Sequence, residues 1–224
     1  VRLETTGNAI DSIAVSAHGS DARGQKDVKK LVANAYVAAC GSYTAPLLRS
    51  VGVDLPIYPG KGYSATFPIL RPEAAPTVSA LDDGRKIAIS RLGNQLRVAG
   101  TIELGGFDMA LDTPVARARC HMLSRRIEEL FPGVCDTRTD EQGGNPQYWT
   151  GLRPATPTNI PFIGRTPLRG LWVNTGHGTL GWTHGAGSGL ALAELIAGQR
   201  PGMDFGFYGF ERAPKGTRLQ PARA

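Results

Sequence analysis

The stretch Asn174 to Gly198 reads NTGHGTLGWTHGAGSGLALAELIAG, and its reading decides the fold. Leu171 to Asn174 predicts a strand. Gly176, Gly178 and Gly181 then form a glycine loop, and the residues from about Gly181 to Ala197 predict a helix stopped by Gly198 and Pro201. A strand that passes through glycines into a helix lets backbone approach a flat or charged ligand closely. The first-turn N–H groups of such a helix have no intrahelical acceptor and carry partial positive charge. A phosphate, a carboxylate or the anionic edge of a reduced flavin ring suits that position. On this motif alone, a plain strand–helix turn has an equal claim, with Gly185 and Gly189 allowing close helix packing.

The three loop glycines match G-x-G-x-x-G, the fingerprint of dinucleotide-binding folds. That fingerprint needs a following strand that ends in an acidic residue about 20 positions on. Asp204 is the available acid, and Pro201-Gly202-Met203-Asp204-Phe205 does not read as a central strand. The ADP-binding reading is therefore rejected, while the physics of the loop stands.

Three further segments carry signals. Trp149 to Pro157, WTGLRPATP, places Arg153 before a proline, which holds it extended. An arginine on so rigid a scaffold offers a preorganised fork to a carboxylate, although pairing to a loop carbonyl is the commoner use. Val32 to Ala39 predicts a buried strand that ends at Cys40-Gly41-Ser42, followed by a short helix with Ser42 or Thr44 as N-cap and Pro46 in its first turn. Strand ends of this kind are ligand positions in open α/β sheets, and a plain strand–helix turn has a nearly equal claim. Pro59-Gly60-Lys61-Gly62-Tyr63-Ser64 reads as a crossing between domains, with Tyr63 entering a sheet. A tyrosine there is more often core than catalytic.

The remaining elements frame these segments. Residues 9–40 read as a hairpin or meander, with Gly19 and Gly24 marking turns in a polar stretch. Residues 56–110 read as an antiparallel sheet with a Gly93-Asn94 hairpin turn. Asp112-Thr113-Pro114 opens a helix that Pro132-Gly133 stops, and Gly143 to Pro167 reads as a long ordered loop with short strands. The last dozen residues read as disordered.

Composition excludes several classes. The chain has 224 residues, a formal charge of +6, 41% hydrophobic and 20% charged residues, which is ordinary for a globular protein. Its cations are scattered and no aromatic-interleaved basic stripe occurs, which argues against nucleic-acid binding. Cys40, Cys120 and Cys135 lack metal spacing, as expected of reduced thiols in a cytosolic protein. His18, His121, His177 and His184 show no metal spacing either, so no metal site is assigned. His121 reads as structural. There is no G-x-S-x-G elbow, no P-loop and no apolar run long enough to span a membrane.

Four segments in order, VAACGSYTAPLL (37–48), PGKGYSATFP (59–68), WTGLRPATPTNIPFIG (149–164) and NTGHGTLGWTHGAGSGLALAELIAG (174–198), resemble the later motifs of bacterial FAD-dependent D-amino-acid dehydrogenases. These belong to the D-amino-acid oxidase superfamily, and the resemblance runs from Val1 to about Arg200. It implies an α/β (α+β) fold: the remnant of a Rossmann-type FAD domain, residues 1–55 and 150–205, and a substrate domain with a mixed or antiparallel sheet, residues 56–149. Residues 206–224 form a tail. The family's N-terminal fingerprint, which holds the ADP part of FAD, is not found here. A C-terminal fragment that by itself holds no FAD and is inactive is therefore expected.

By the same resemblance, Gly41, Gly176, His177, Gly178, Thr179, Leu180, Gly181, Trp182 and Thr183 face the cofactor. Arg153 grips the substrate carboxylate and Tyr63 lines the pocket. Gly60 stands where the family usually has an aliphatic residue. The implied reaction is hydride transfer from the α-carbon of a D-amino acid to FAD, giving a 2-oxo acid and ammonia after hydrolysis. No side-chain base is assigned. A quinone or another acceptor takes the electrons, which implies a cytoplasmic protein or one peripheral on the inner membrane. Two alternatives stand beside this reading: a non-catalytic, self-associating fragment that binds no flavin, and a relative oxidising glycine, sarcosine or proline.

Overall fold

The structure is a computed structural model that describes residues 1–16 and 28–202. Gly19, Gly24, His18 and the tail lie outside the described residues. In chain order the first elements are β1 (Arg2–Thr6), β2 (Ala9–Ser16), β3 (Val28–Leu31), β4 (Tyr36–Ala38), α1 (Thr44–Arg49), β5 (Tyr58–Pro68), β6 (Ala80–Asp82) and β7 (Ile87–Leu92). They are followed by β8 (Gln95–Glu103), α2 (Pro114–Leu130), β9 (Gln147–Ala155), β10 (Phe162–Arg165), β11 (Leu171–Thr175) and α3 (Gly181–Ile196). The mixture of helices with mixed and antiparallel sheets is the fold class that the sequence implies. Two compact units are present: Val1–Tyr58 with the chain from Arg153 onward, and Pro59–Leu152.

In the first unit β1, β2 and β3 form an antiparallel sheet. A second sheet has the order β10-β11-β4, with β11 antiparallel to β10 and parallel to β4. Leu171 lies opposite Tyr36 and Val173 opposite Ala38, and all four are buried in a core with Leu48 and Leu55. The expected strand Val32 to Ala39 is shorter than its apolar pattern suggests. Only Tyr36–Ala38 pair, and Val32 is 75% exposed. The Tyr36 hydroxyl accepts the Ala33 N–H at 2.8 Å and donates to the Asp11 carbonyl at 2.8 Å, which holds the approach to β4 as an irregular segment bent at Asn34. The cap of α1 also differs. A 3-10 turn, Gly41–Tyr43, precedes the helix, Tyr43 takes the N-cap position, and the Thr44 hydroxyl accepts the Cys40 N–H at 3.0 Å.

In the second unit the sheet order is β6-β7-β8-β5-β9. The Gly93-Asn94 turn joins β7 to β8, as its sequence indicates. Thr113 caps α2, its hydroxyl accepting the Ala116 N–H at 3.2 Å, and Pro114 opens the first turn. Ala116, Cys120, Leu123 and Ile127 recur at helical spacing and bury against Phe67 and Ile89 of the sheet. The segment expected to be a long loop with short strands, Gly143 to Pro167, contains the short strand β10 and, longer than expected, the nine-residue strand β9. The Thr150 hydroxyl, donated to the Gly62 carbonyl at 2.8 Å, holds β9 in the sheet.

The β5–β8 ladder shifts register between Lys61 and Tyr63. Across from the shift Thr101 has φ of 58°, a left-handed conformation that a β-branched residue rarely adopts. A bulge of this kind re-aims the residues beyond it. Here it delivers Glu103 to the Tyr63 hydroxyl, which donates to its carboxylate.

Gly100 sits before the bulge, opposite both Tyr63 and Ile87. A Cβ there would meet the Lys86 carbonyl oxygen at 2.6 Å and Ile87 Cγ1 at 2.9 Å. Gly100→Ala is expected to lower stability by about 1–3 kcal/mol. Gly84→Ala, whose Cβ would meet only Asp82 Oδ1 at 3.7 Å, should change little. Thermal denaturation compares the two, and equal melting temperatures would refute the packing account.

Candidate functional site

Because β4 and β11 run parallel, they end at the same edge of their sheet. One leads into Cys40-Gly41 and the other into Thr175-Gly176. Thr175 is 1% exposed, and its hydroxyl donates to the Gly41 carbonyl at 3.1 Å, tying the two turns together. Gly41, Gly176 and Gly178 have φ of 55°, 80° and 55°, the region that favours glycine. They serve different purposes. A Cβ on Gly176 would lie 2.8 Å from Thr156 Cγ2, so this glycine permits close packing. A Cβ on Gly41 or Gly178 would meet nothing within 4 Å, so these two border open space.

The Leu180 N–H donates to the His177 carbonyl at 3.0 Å and the His184 N–H to the Leu180 carbonyl at 2.9 Å, closing the turn into α3. No side chain caps the N-terminus of α3. Thr179, Leu180, Trp182 and Thr183 are exposed there, Trp182 over 99% of its surface.

The Gly178 N–H donates to the Pro154 carbonyl at 3.0 Å. The residue after Arg153 is thereby joined to the glycine loop. Arg153 is half-buried, and burial pulls its guanidinium down from the usual arginine range. A partly desolvated cation gains more from an anionic partner than an exposed one does.

Tyr63 lies in the other unit and is 1% exposed. Its ring is flanked by Lys61 Nζ at 5.4 Å and the Arg119 guanidinium at 5.8 Å. Burial, and then the hydrogen bond to Glu103, push its phenol well above the usual range. The hydroxyl is thus committed inside its own unit.

Several participants were not singled out from the sequence. Thr175, Thr156 and the Pro154 carbonyl fix the loop, and their only signal was adjacency to the quoted motifs. Asn174 Nδ2 donates to Ser188 Oγ at 3.3 Å, while Asn174 Oδ1 and His177 Nε2 are buried without a hydrogen-bond partner. Such atoms call for a reason. Lys61, fully buried with Nζ donated to the Ala110 carbonyl at 2.7 Å, had no sequence signal beyond its flanking glycines. His121 lies beside Glu141 at 3.8 Å. Among the described residues no group of three or more His, Cys, Asp or Glu could hold a metal, and no helix is long and apolar enough to cross a membrane.

Parallel strands that end in glycine turns beside an uncapped helix N-terminus form the kind of edge at which open α/β folds place ligands. The family model described as FAD dependent oxidoreductase matches residues 5–195, and the chain belongs to that family. The D-amino acid dehydrogenase of Dechloromonas aromatica is 48% identical over 206 residues, which is 92% of this chain and 46% of the relative. That of Methylobacterium radiotolerans is 50% identical over 171 residues, 76% of this chain and 38% of the relative. The chain thus spans less than half the length of these curated relatives.

Among solved structures, glycine oxidase from Geobacillus kaustophilus superposes with a TM-score of 0.68 at 25% identity, covering 84% of this chain and 49% of that one. L-proline dehydrogenase from P. horikoshii gives 0.68 at 17% identity, covering 93% and 52%, and shows the shared fold.

Burial, and then the neighbouring His184, lower the His177 pKa below the ordinary 6.5. Since the folded value is depressed, the unfolded chain binds more protons between the two values. The stability that neutral His177 contributes is present above about pH 6.5 and is lost as pH falls through that value toward the folded pKa. Proton NMR of the imidazole Cε1–H in this chain should show His177 titrating below the ordinary range, and His184→Gln should raise its value. An unshifted titration would contradict the burial of this ring.

Proposed function

We propose that the chain is part of an FAD-dependent dehydrogenase that oxidises D-amino acids to 2-oxo acids and ammonia. The hydrogen bond from Gly178 to Pro154 carries this reading, because it holds the arginine segment against the glycine loop. The identity to relatives named D-amino acid dehydrogenase supplies the substrate class. The open space at Gly41 and Gly178 and the unpartnered His177 Nε2 suit a flat, polar cofactor. Gly41 and the loop Gly176–Thr183 would hold FAD, with the residues of units 1–55 and 150–205 forming its domain and residues 56–149 the substrate domain. FAD, when bound, supplies the two-electron acceptor.

The chain's own residues orient and exclude. Arg153 pairs with the substrate carboxylate and fixes which face of the α-carbon is presented. The N-terminus of α3 places N–H groups where negative charge develops, and they act because they are already in position. Tyr63 is retained as framework within the substrate domain, since its hydroxyl is engaged by Glu103. A quinone or similar acceptor for the electrons, and association with a membrane surface, belong to the same proposal. The likeness to a glycine oxidase and a proline dehydrogenase favours one alternative, a small or cyclic amino acid as substrate. A screen of D-alanine, glycine, sarcosine and L-proline on the full-length enzyme separates the two.

Two substitutions test the site. Arg153→Leu in the full-length enzyme should remove about 2–5 kcal/mol of substrate interaction. In steady-state kinetics with an artificial acceptor, kcat/KM for D-alanine should then fall by at least about 30-fold, mostly through KM. Arg153→Lys should restore only part, because an ammonium lacks the planar fork. Near-normal efficiency of the leucine variant would remove the clamp.

Gly178→Val should abolish flavin binding or reduction while leaving the protein folded. The new side chain fills the open space in front of the loop, and a β-branched residue resists the left-handed backbone. The melting temperature and the flavin-to-protein ratio of one sample decide the point. A folded variant with full flavin content and an unchanged flavin potential would take the loop out of the site.

A further inference from the structure

We infer that His177 takes up the proton released when substrate is oxidised, an inference that rests on the flavoenzyme reading above. Three observations converge on this residue. It stands between Gly176 and Gly178, both left-handed, in the loop that borders open space. Its Nε2 is sealed from solvent and has no hydrogen-bond partner. Its ring lies 6.2 Å, centroid to centroid, from that of His184 on the first turn of α3, tilted by 58°. A buried ring nitrogen with no partner is costly to leave idle, and an imidazole is the side chain best suited to gain a proton near neutral pH.

The balance of the reaction requires a proton acceptor. The substrate enters with an ammonium group. Its α-carbon C–H bond breaks, and both electrons leave with the hydrogen as hydride to the flavin. One N–H bond of the ammonium breaks, and the nitrogen keeps that pair to form the C=N bond. Water then converts the protonated imine (the iminium) to the 2-oxo acid and ammonium with no net proton. One proton is left over for each two-electron reduction, and the flavin has gained one negative charge. Transfer of that proton to the unpartnered Nε2 of His177 forms an N–H bond and an imidazolium that offsets the new negative charge.

The surroundings favour this order of events. The charged and titratable groups on the elements around the loop are His184 and Glu194 on α3, Arg165 on β10, Arg153 on β9, Tyr36 on β4 and Cys40 just after it. Among the described residues no carboxylate is ion-paired to either imidazole. Before reduction, burial and the neighbouring His184 disfavour a proton on His177. The negative charge gained on reduction reverses that balance, so protonation follows the electrons. A purely structural His177 would leave proton yield independent of the residue.

The test uses full-length holoenzyme and its His177→Gln and His184→Gln variants. Anaerobic reduction by D-alanine in weakly buffered indicator dye counts protons, and a titration gives the flavin midpoint potential against pH. Wild type should release fewer protons than flavins reduced, and its potential–pH curve should bend within the neutral range. His177→Gln should release one proton per flavin and lose the bend. His184→Gln keeps the titrating ring and removes a repulsive neighbour, so the bend should move to higher pH.

Equal proton yields and equal curves in wild type and His177→Gln, at equal flavin content, would overturn the inference. Should His177→Gln lose its flavin, the His184→Gln curve decides: a shifted bend supports the proposal and an unshifted one overturns it. A wild-type enzyme that holds no flavin or ignores D-amino acids would sink both this inference and the functional reading. Normal oxidation with an unchanged proton yield would sink this inference alone.

Discussion

The bond between the Gly178 N–H and the Pro154 carbonyl is the constraint on which the site depends. A hydrogen bond of this kind contributes only about 1 kcal/mol net. Its value lies in position. Proline fixes the backbone beside Arg153 and has no N–H of its own, so its carbonyl is the available handle. Gly178 reaches that carbonyl from a left-handed conformation, φ 55°, which other residues adopt at a cost. Gly176 permits the approach by leaving room for Thr156. The start of α3 follows from this geometry, because the turn that makes the bond also sets where the helix begins.

The second unit solves a different problem. Lys61 is buried in the same sheet as Tyr63, and a buried cation without compensation is expensive. Compensation comes from the Ala110 carbonyl, the Tyr63 ring and, further out, the Glu103–Arg119 pair at 3.6 Å. Glu103 reaches this cluster only because the bulge at Thr101 turns it there. Replacing such a network with apolar residues often costs nothing in stability, so its benefit is a single defined arrangement of strand, loop and helix. Breaking one member would leave the others unpaired in the interior.

The parts of the fold legible in the sequence were those fixed by local chemistry. Thr113-Pro114 starts α2, Gly93-Asn94 turns β7 into β8, and the glycine loop leads from β11 into α3, all by short-range rules. The parts that were not legible depend on distant partners. Val32 reads as core, yet the Tyr36 hydroxyl holds its segment out of the ladder by reaching Asp11, 25 residues away. Residues 143–167 read as a long loop with only short strands because of their glycines and prolines, yet residues 147–155 form one strand in which Thr150 finds the Gly62 carbonyl 88 residues away. Arg153 and the glycine loop were each visible as motifs, but the bond that joins them is between backbone atoms and leaves no trace in residue type. Tyr63 was visible as a strand residue, and the carboxylate that encloses it was not.

The three cysteines differ in a way that has a practical use. Cys120 and Cys135 are buried, and burial pushes the Cys135 thiol up to about 11, which keeps both unreactive at neutral pH. Cys40 is exposed and sits next to Gly41, whose carbonyl receives the Thr175 hydroxyl. A thiol-directed fluorophore should therefore attach at one position without mutagenesis. Its emission would report on the edge where the two parallel strands end, turning an unremarkable side chain into a built-in sensor for whatever settles there.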